Sequence, residues 1–501
     1  MMKLILTASL LAVAISVHAQ NFDLAEKFFL EDENATARSM GTAGAFGTVG
    51  ADFSAATNNP AGMALFRKSE VGGSFGLNNQ ETTTRFLGQQ QISEDQPFSL
   101  TSIGGVYSRI FTEYQGDSVV VRRTGLVNFT VAAGFNQRET LREQFDYQGF
   151  NTSSSLLTGL SQTANQFATN SIFDLDEFEF QAFDTNLLDT SLLSNGQILY
   201  SSFLNNNVEQ SGVIDRTGIN RTFYLSGGVN LDNKLYLGGT LGIPQAQYEE
   251  TRTYTETDTQ DNFAEFEGFT QIDQREYSTV GAYFHAGAIY KVNDFVRVGA
   301  HIKSPSVISV DETTRINTEA RYNTRREVSE SEDFNNTYNL TLPWKAGTGL
   351  VLMHPNYGLI SLEADYVRYN ATSIDFLEDG GAFTERAEQF NDEIDAFYQG
   401  AFNLRGGAEV KLGPVRLRGG YALNQSPYQD NVFLDGADYE REVIGAGIGF
   451  RVVPLNLTLD AGYNRITGGE YNAAYVANTV ANTIIVDRTD DQFRLSLSKR
   501  F

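Results

Sequence analysis

The chain has 501 residues and a formal net charge of -25, from 62 acidic and 37 basic side chains. That balance argues against nucleic acid, whose phosphates call for clustered Lys and Arg. Zero Cys excludes thiol nucleophiles, disulfides and Cys-based zinc sites, while 46 Gly, 36 Phe and 23 Tyr beside only 9 Pro favour strands and turns over disorder.

The first element is an export signal. Met1 to Lys3 give a positive start, Leu4 to Val17 a short apolar run, and Val17-His18-Ala19 a small-x-small cleavage site. The run is too short for a membrane helix. Residues 1–19 are therefore read as a signal peptide, and any membrane crossing further on is made without helices.

The rest of the chain alternates with period two. Val127, Phe129, Val131, Ala133 and Phe135 interleave with Asn128, Thr130, Ala132 and Gly134, and Phe223 to Leu231 repeats the pattern, as expected of strands with one apolar and one polar face. Fourteen strands are predicted, near 71–79, 101–109, 124–136, 222–231, 235–250, 278–290, 296–310, 339–353, 359–369, 401–412, 415–423, 441–452, 455–465 and 492–501. The links alternate in kind: one set is mostly tight, with 110–123 its longest member, and the other is long. An even strand count with short turns at one end and long loops at the other is the pattern of an all-β, antiparallel transmembrane barrel. Charge sorts the same way, since the seven long links carry 44 acidic and 13 basic residues. Outward solvation is the ordinary reason for that acidity. The last strand puts Phe493, Leu495, Leu497 and Phe501 on one face, with Lys499 placed to snorkel at the interface. A terminal Phe closing such a strand looks like the signal read by the outer-membrane barrel-assembly machinery.

Before the first strand lies a segment without strand character: Ala37-Arg38-Ser39-Met40-Gly41-Thr42-Ala43-Gly44-Ala45-Phe46, Ala51-Asp52-Phe53-Ser54-Ala55-Ala56, and Asn58-Asn59-Pro60-Ala61-Gly62-Met63-Ala64. It resembles the hatch of the FadL/TodX outer-membrane transporters of hydrophobic compounds. Val298 to Pro305, Leu342-Pro343-Trp344, Tyr366 to Tyr369 and Arg418 to Tyr421 also match that family's pattern. The resemblance implies a fourteen-stranded barrel with an N-terminal hatch in its lumen, divided as signal 1–19, hatch 20–68 and barrel 69–501. It implies residence in the outer membrane of a Gram-negative bacterium, contact with outer-membrane lipid, and passive transport of hydrophobic molecules such as long-chain fatty acids or hydrocarbons. No cofactor, metal or enzyme activity is expected: no G-x-S-x-G element is present. Two rival functions stay open, a barrel component of a protein-secretion machine and a diffusion pore.

Site residues follow in three groups. Strand parity turns Arg297, His301 and Lys303 into the lumen together, where they either receive a fatty carboxylate or, with Arg405, Arg416, Arg418, Glu363, Asp365, Glu409 and Asp460, interlock as salt bridges. The outer links carry apolar residues, including Phe178, Phe183 and Phe390, which either pack on one another or build the capture groove that the resemblance implies. In the resembled family a kink in the third strand opens the wall sideways beside the hatch motif. That places Asn59, Pro60 and Ala61, with Phe46 in the same hatch, against the wall near Ala133, Gly134 and Phe135, with Gly134 the point of weakness.

Overall fold

The computed structural model describes residues 35–115, 118–168, 170–377, 381–429, 439–477 and 480–501. The expected signal and the first part of the hatch span lie outside these residues. Fourteen antiparallel wall strands follow in chain order. β1 is Glu70–Phe86; β2 is Gln89–Asp95 continued by Phe98–Ile110; β3 is Leu126–Thr140 continued by Glu143–Asn151. β4 (Val208–Leu231), β5 (Leu235–Thr257) and β6 (Phe266–Lys291) are uninterrupted. β7 is Val296–Lys303 with Ser306–Tyr322, and β8 is Phe334–Leu342 with Lys345–His354, the breaks falling beside Pro305 and Pro343, which cannot donate to a ladder. β9 (Gly358–Arg368), β10 (Gly400–Leu412), β11 (Val415–Asn424), β12 (Arg441–Val452), β13 (Leu457–Ala477) and β14 (Val480–Arg500) complete the set. β14 pairs with β1 from Glu70↔Arg500 to Arg85↔Ile485, so the sheet closes.

The alternation explains the closure. On β14, Phe493, Leu495 and Leu497 are exposed while Gln492 and Arg494 are buried; the same inversion recurs at Phe223 and Leu225 against Thr222 and Tyr224. Exposing such a band is favourable only where the surrounding solvent is hydrocarbon, which also demands a sheet with no free edge. Among the described residues no helix is long and apolar enough to cross a membrane. At the short-turn end, the tight link from β4 to β5 holds Asp232 and Asn233 at φ 57° and 51°, a region that Asn and Asp tolerate.

The fourteen expected strands are all present, but several run much further than expected. The link read as 137–221 contains Glu143–Asn151 and the first half of β4, and 466–491 is largely the β13–β14 hairpin. Above the membrane both faces of a strand meet water or cap residues, so the alternation fades while the ladder continues. Three helices roof this outer end: α3 (Leu156–Phe167), α4 (Glu177–Asp184) and α5 (Gly381–Phe397). (They are numbered after two hatch helices, α1, Ala37–Met40, and α2, Ala55–Asn58.) The main apolar cores also sit here, one of them joining Phe145, Leu157, Leu187, Leu204, Phe269 and Ile484.

Candidate functional site

The hatch is built of short turns fixed by their own caps. Thr36 Oγ1 accepts from Ser39 N at 3.2 Å, and Asn59 Oδ1 accepts from Ala61 N at 3.1 Å at the start of the 3-10 turn Pro60–Leu65. It lies on a row of wall glycines. Gly228, Gly238 and Gly287 are opposite one another on β4, β5 and β6. A Cβ on Gly238 would overlap the Pro60 carbonyl, one on Gly287 the Asn59 side chain, and one on Gly228 would stand 2.7 Å from Ala64 N. Thr48 meets Gly299 and Gly349 on β7 and β8 in the same way, and Thr42 meets Gly407 and Gly420 on β10 and β11. Wall side chains complete the seat: Thr130 Oγ1 donates to Met63 O (3.0 Å), Ser496 Oγ accepts from Ala37 N (2.8 Å), and Glu363 accepts from Thr48 N (2.8 Å). Backbone thus rests on backbone, with hydrogen bonds around the rim.

This seat corrects the expected position of the hatch motif. Asn59, Pro60 and Ala61 face β5 and β6, not Ala133 to Phe135 on β3; Ala61 packs with Ala64, Tyr236 and Ile289. Phe46 is buried with Val49 and Val351, under the Arg38 guanidinium 4.5 Å from its ring centre. What meets the β3 glycine is Tyr224, while Phe53 lies against its β2 partner Gly104. Gly134 is paired with Gly104 of β2 and Tyr224 of β4, and a Cβ there would overlap Ile103 O and sit 2.6 Å from Tyr224 Oη. Gly134 is therefore a filled position. The weakness in the wall begins just above it. The β2–β3 ladder runs from Ile110↔Asn128 to Ser102↔Asn136 and stops; beyond, Glu143–Asn151 pairs with β4 alone among the described strands. Side chains span the two strands there, Ser93 Oγ donating to Asp146 (3.0 Å) and Arg142 pairing with Asp95 (2.9 Å).

The three lumen cations on β7 share a face as parity requires, yet they do not share a site. Arg297 reaches down to the hatch and donates to Val49 O at 3.2 Å. His301 bonds His285 at 3.0 Å and Asp365 at 3.0 Å, and Asp365 also holds Arg405 at 2.7 Å. Lys303 is buried with its amine 4.4 Å from the centre of the Tyr283 ring. Arg418 likewise bonds Glu409 (2.9 Å) and Asp460 (2.7 Å). Ion pairs thus hold His301, Arg405 and Arg418 to wall carboxylates, whereas Arg297 meets a hatch carbonyl and Lys303 an aromatic face.

A cavity of about 860 Å³ opens instead under the outer helices. Phe178 of α4 and Phe390 of α5 line it; Phe183 packs into the adjoining apolar core. The opposite wall carries Tyr147, Tyr254, Tyr338 and Tyr475. Arg386 stands over both Phe376 and Phe390, 5.5 and 5.6 Å from their centres. Another edge of this outer chamber is braced by Arg216, which is 1% exposed and reaches Glu250 (2.7 Å), Glu143 (3.0 Å) and Glu470 (2.7 Å) on three other strands. Sequence reasoning missed these tyrosines and Arg216. Tyr254 on β5 keeps the even-numbered, inward parity of Tyr236 and Tyr248, a signal present in the sequence but hidden once the stretch after residue 250 was read as a loop.

A family model described as "Outer membrane protein transport protein (OMPP1/FadL/TodX)" matches residues 214–492. No curated protein matches the chain in sequence. Among solved structures, a FadL homologue from Pseudomonas aeruginosa aligns with TM-score 0.54 and 12% identity over 93% of this chain and 98% of that one. The toluene transporter TodX of P. putida aligns with TM-score 0.50 and 12% identity over 94% and 99%. At such identities the likeness is one of fold. With more than half of its length matched by the family model and its sheet closed in fourteen strands around a hatch, the chain belongs to the OMPP1/FadL/TodX family of outer-membrane transport proteins.

Proposed function

We propose that this protein captures hydrophobic small molecules in the cavity beneath its outer helices and releases them sideways through the wall between β2 and β3. The observation that carries the reading is the cavity itself: large, lined by aromatic rings, roofed by α3, α4 and α5, and separated from the other end of the barrel by a tightly seated hatch. Apolar surface leaving water for such a chamber is favoured by roughly 25 cal/mol per Å². The hatch blocks a straight route, and the interrupted β2–β3 ladder is the exit with fewest backbone bonds to break. Long-chain fatty acids and aromatic hydrocarbons are the substrate classes the family suggests.

Uptake of a labelled aromatic hydrocarbon by cells expressing the protein tests both halves. Phe178→Ala with Phe390→Ala should cut uptake several-fold while the protein still shifts on heating in a gel, the mark of a folded barrel. A Ser93→Cys, Asp146→Cys pair, oxidised, should halt uptake and regain it on reduction. Full uptake with the cross-link closed would sink lateral release, and full uptake by the double-Ala variant would sink capture in this cavity.

A further inference from the structure

Five carboxylates and three guanidiniums line the outer cavity. The cations inside it are engaged: Arg252 pairs with Glu250, and Arg275 with Asp273 at 3.1 Å. Arg386 lies at the exposed edge on aromatic faces. The carboxylates are not all so matched. Glu179 on α4 is only 4% exposed and lines the cavity, and no side chain among the described residues bonds or pairs with it. Its neighbours along the chain do have partners or water: Glu177 accepts from Gln181 Nε2 at 2.7 Å, and Asp176 is exposed. Burial pushes the Glu179 carboxyl up to about 8, against a hydrogen bond from its own backbone N–H and with Asp176 adding repulsion, so no opposite charge meets it. A lone carboxyl in an aromatic chamber is costly unless something else supplies its partner.

We infer that this partner comes with the ligand, and that the cavity selects hydrophobic amines: an apolar body held by the rings around Phe178, Phe390, Tyr254 and Tyr338, and an ammonium held by Glu179. Three features of the cavity favour that class together. The aromatic faces attract cations. The surplus of carboxylates over guanidiniums repels an anionic head. Glu179, 4% exposed and lining the cavity, offers a charge-assisted hydrogen bond. The inference deepens the capture reading and rests on it; it also reverses the preference for acids that Arg297, His301 and Lys303 had suggested, since none of those three lines this cavity.

The test compares three ligands of one shape, phenylbutylamine, phenylbutanol and phenylbutyrate, binding to the purified full-length barrel near pH 9. There Glu179 is ionised, and an alkylamine, like Lys, keeps its proton. The amine should bind roughly tenfold more tightly than the butyrate, the span of one charge-assisted bond. Glu179→Gln, folded by the gel-shift criterion, should erase the amine's advantage over the alcohol and leave alcohol binding intact. Alcohol binding without an amine preference in the unaltered protein would overturn the inference alone. So would an amine preference that survives in folded Glu179→Gln. If none of the three ligands binds, the capture reading falls with it.

Discussion

The two ends of the lumen are packed by opposite means. At the hatch, chain lies close on chain: glycines on β4 to β8 and β10 to β13 carry no side chain of their own, so the plug's backbone and short side chains such as Thr48 and Asn59 rest directly on the wall backbone, with a hydrogen-bonded rim. At the outer end, side chains fill the gap, with aromatic rings, the Arg216 cluster and three helices enclosing a chamber. Backbone-on-backbone packing has one solution and cannot reshape. Side-chain packing has many rotamers, so it leaves room to admit something. The difference teaches where rigidity and where adaptability reside in one continuous sheet.

The most severe way to break the comparison is at Arg216. Arg216→Leu leaves Glu143, Glu250 and Glu470 buried without their shared cation, a loss of about 3–5 kcal/mol. Thermal unfolding should shift accordingly, with hydrogen exchange rising first in Glu143–Asn151 and the upper part of β5. An unshifted transition would mean that the chamber is not braced by this cluster. Next come the glycines. Gly238→Ala and Gly287→Ala each force a Cβ into the hatch backbone or Asn59 and should cost about 1–3 kcal/mol. Gly227→Ala, whose nearest neighbour would be Thr130 O at 3.6 Å, should change stability little. Equal effects at 227 and 238 would abolish the claim that the seat is rigid. Gly134→Trp belongs with the costly group, because Tyr224 and Ile103 already occupy its space; it should fail to fold where a gap-filling mutation would have folded.

The smallest effect sharpens the outer half. Burial lifts the Glu179 carboxyl to about 8 and Glu393 on α5 to about 7. A carboxyl raised on folding stabilises fully below its unfolded value near 4.5 and loses that contribution as pH rises through the folded value. Docking of α4 and α5 should therefore weaken between pH 5 and 9 on this account, seen as faster exchange of both helices after correction for intrinsic rates. Slower exchange at the higher pH would contradict the assignment.

The sequence makes the wall legible because lipid imposes one rule on every strand: Phe493, Leu495 and Leu497 on β14 must all face out. The hatch is legible as a motif but not as a position. Which wall strand Asn59 meets depends on the long-range register that sets Gly238 opposite Gly287, and no local pattern encodes it. The outer chamber is the least legible. Tyr254 and Glu179 acquire their roles only when β5 continues past the membrane and α4 docks on α3 and the outer part of β7, and above the membrane the period-two signal has no solvent contrast to sustain it. Arg297, His301 and Lys303 illustrate a different limit. Parity places three side chains on one face, but the hatch stands between the first of them and the other two.

Only Arg67, Lys68 and Ser69 join the hatch to β1, and Arg67 is itself moored to Asn128 (3.3 Å) and Asn233 (2.5 Å) at the short-turn rim. Three residues drawn straight reach about 10 Å. The plug is thus on a short leash fixed at one corner: it can swing about Phe66 but cannot be expelled bodily while that leash is unbroken. Any displacement is a rotation, smallest at Ala64 beside β4 and largest at Ala37 beside β13 and β14.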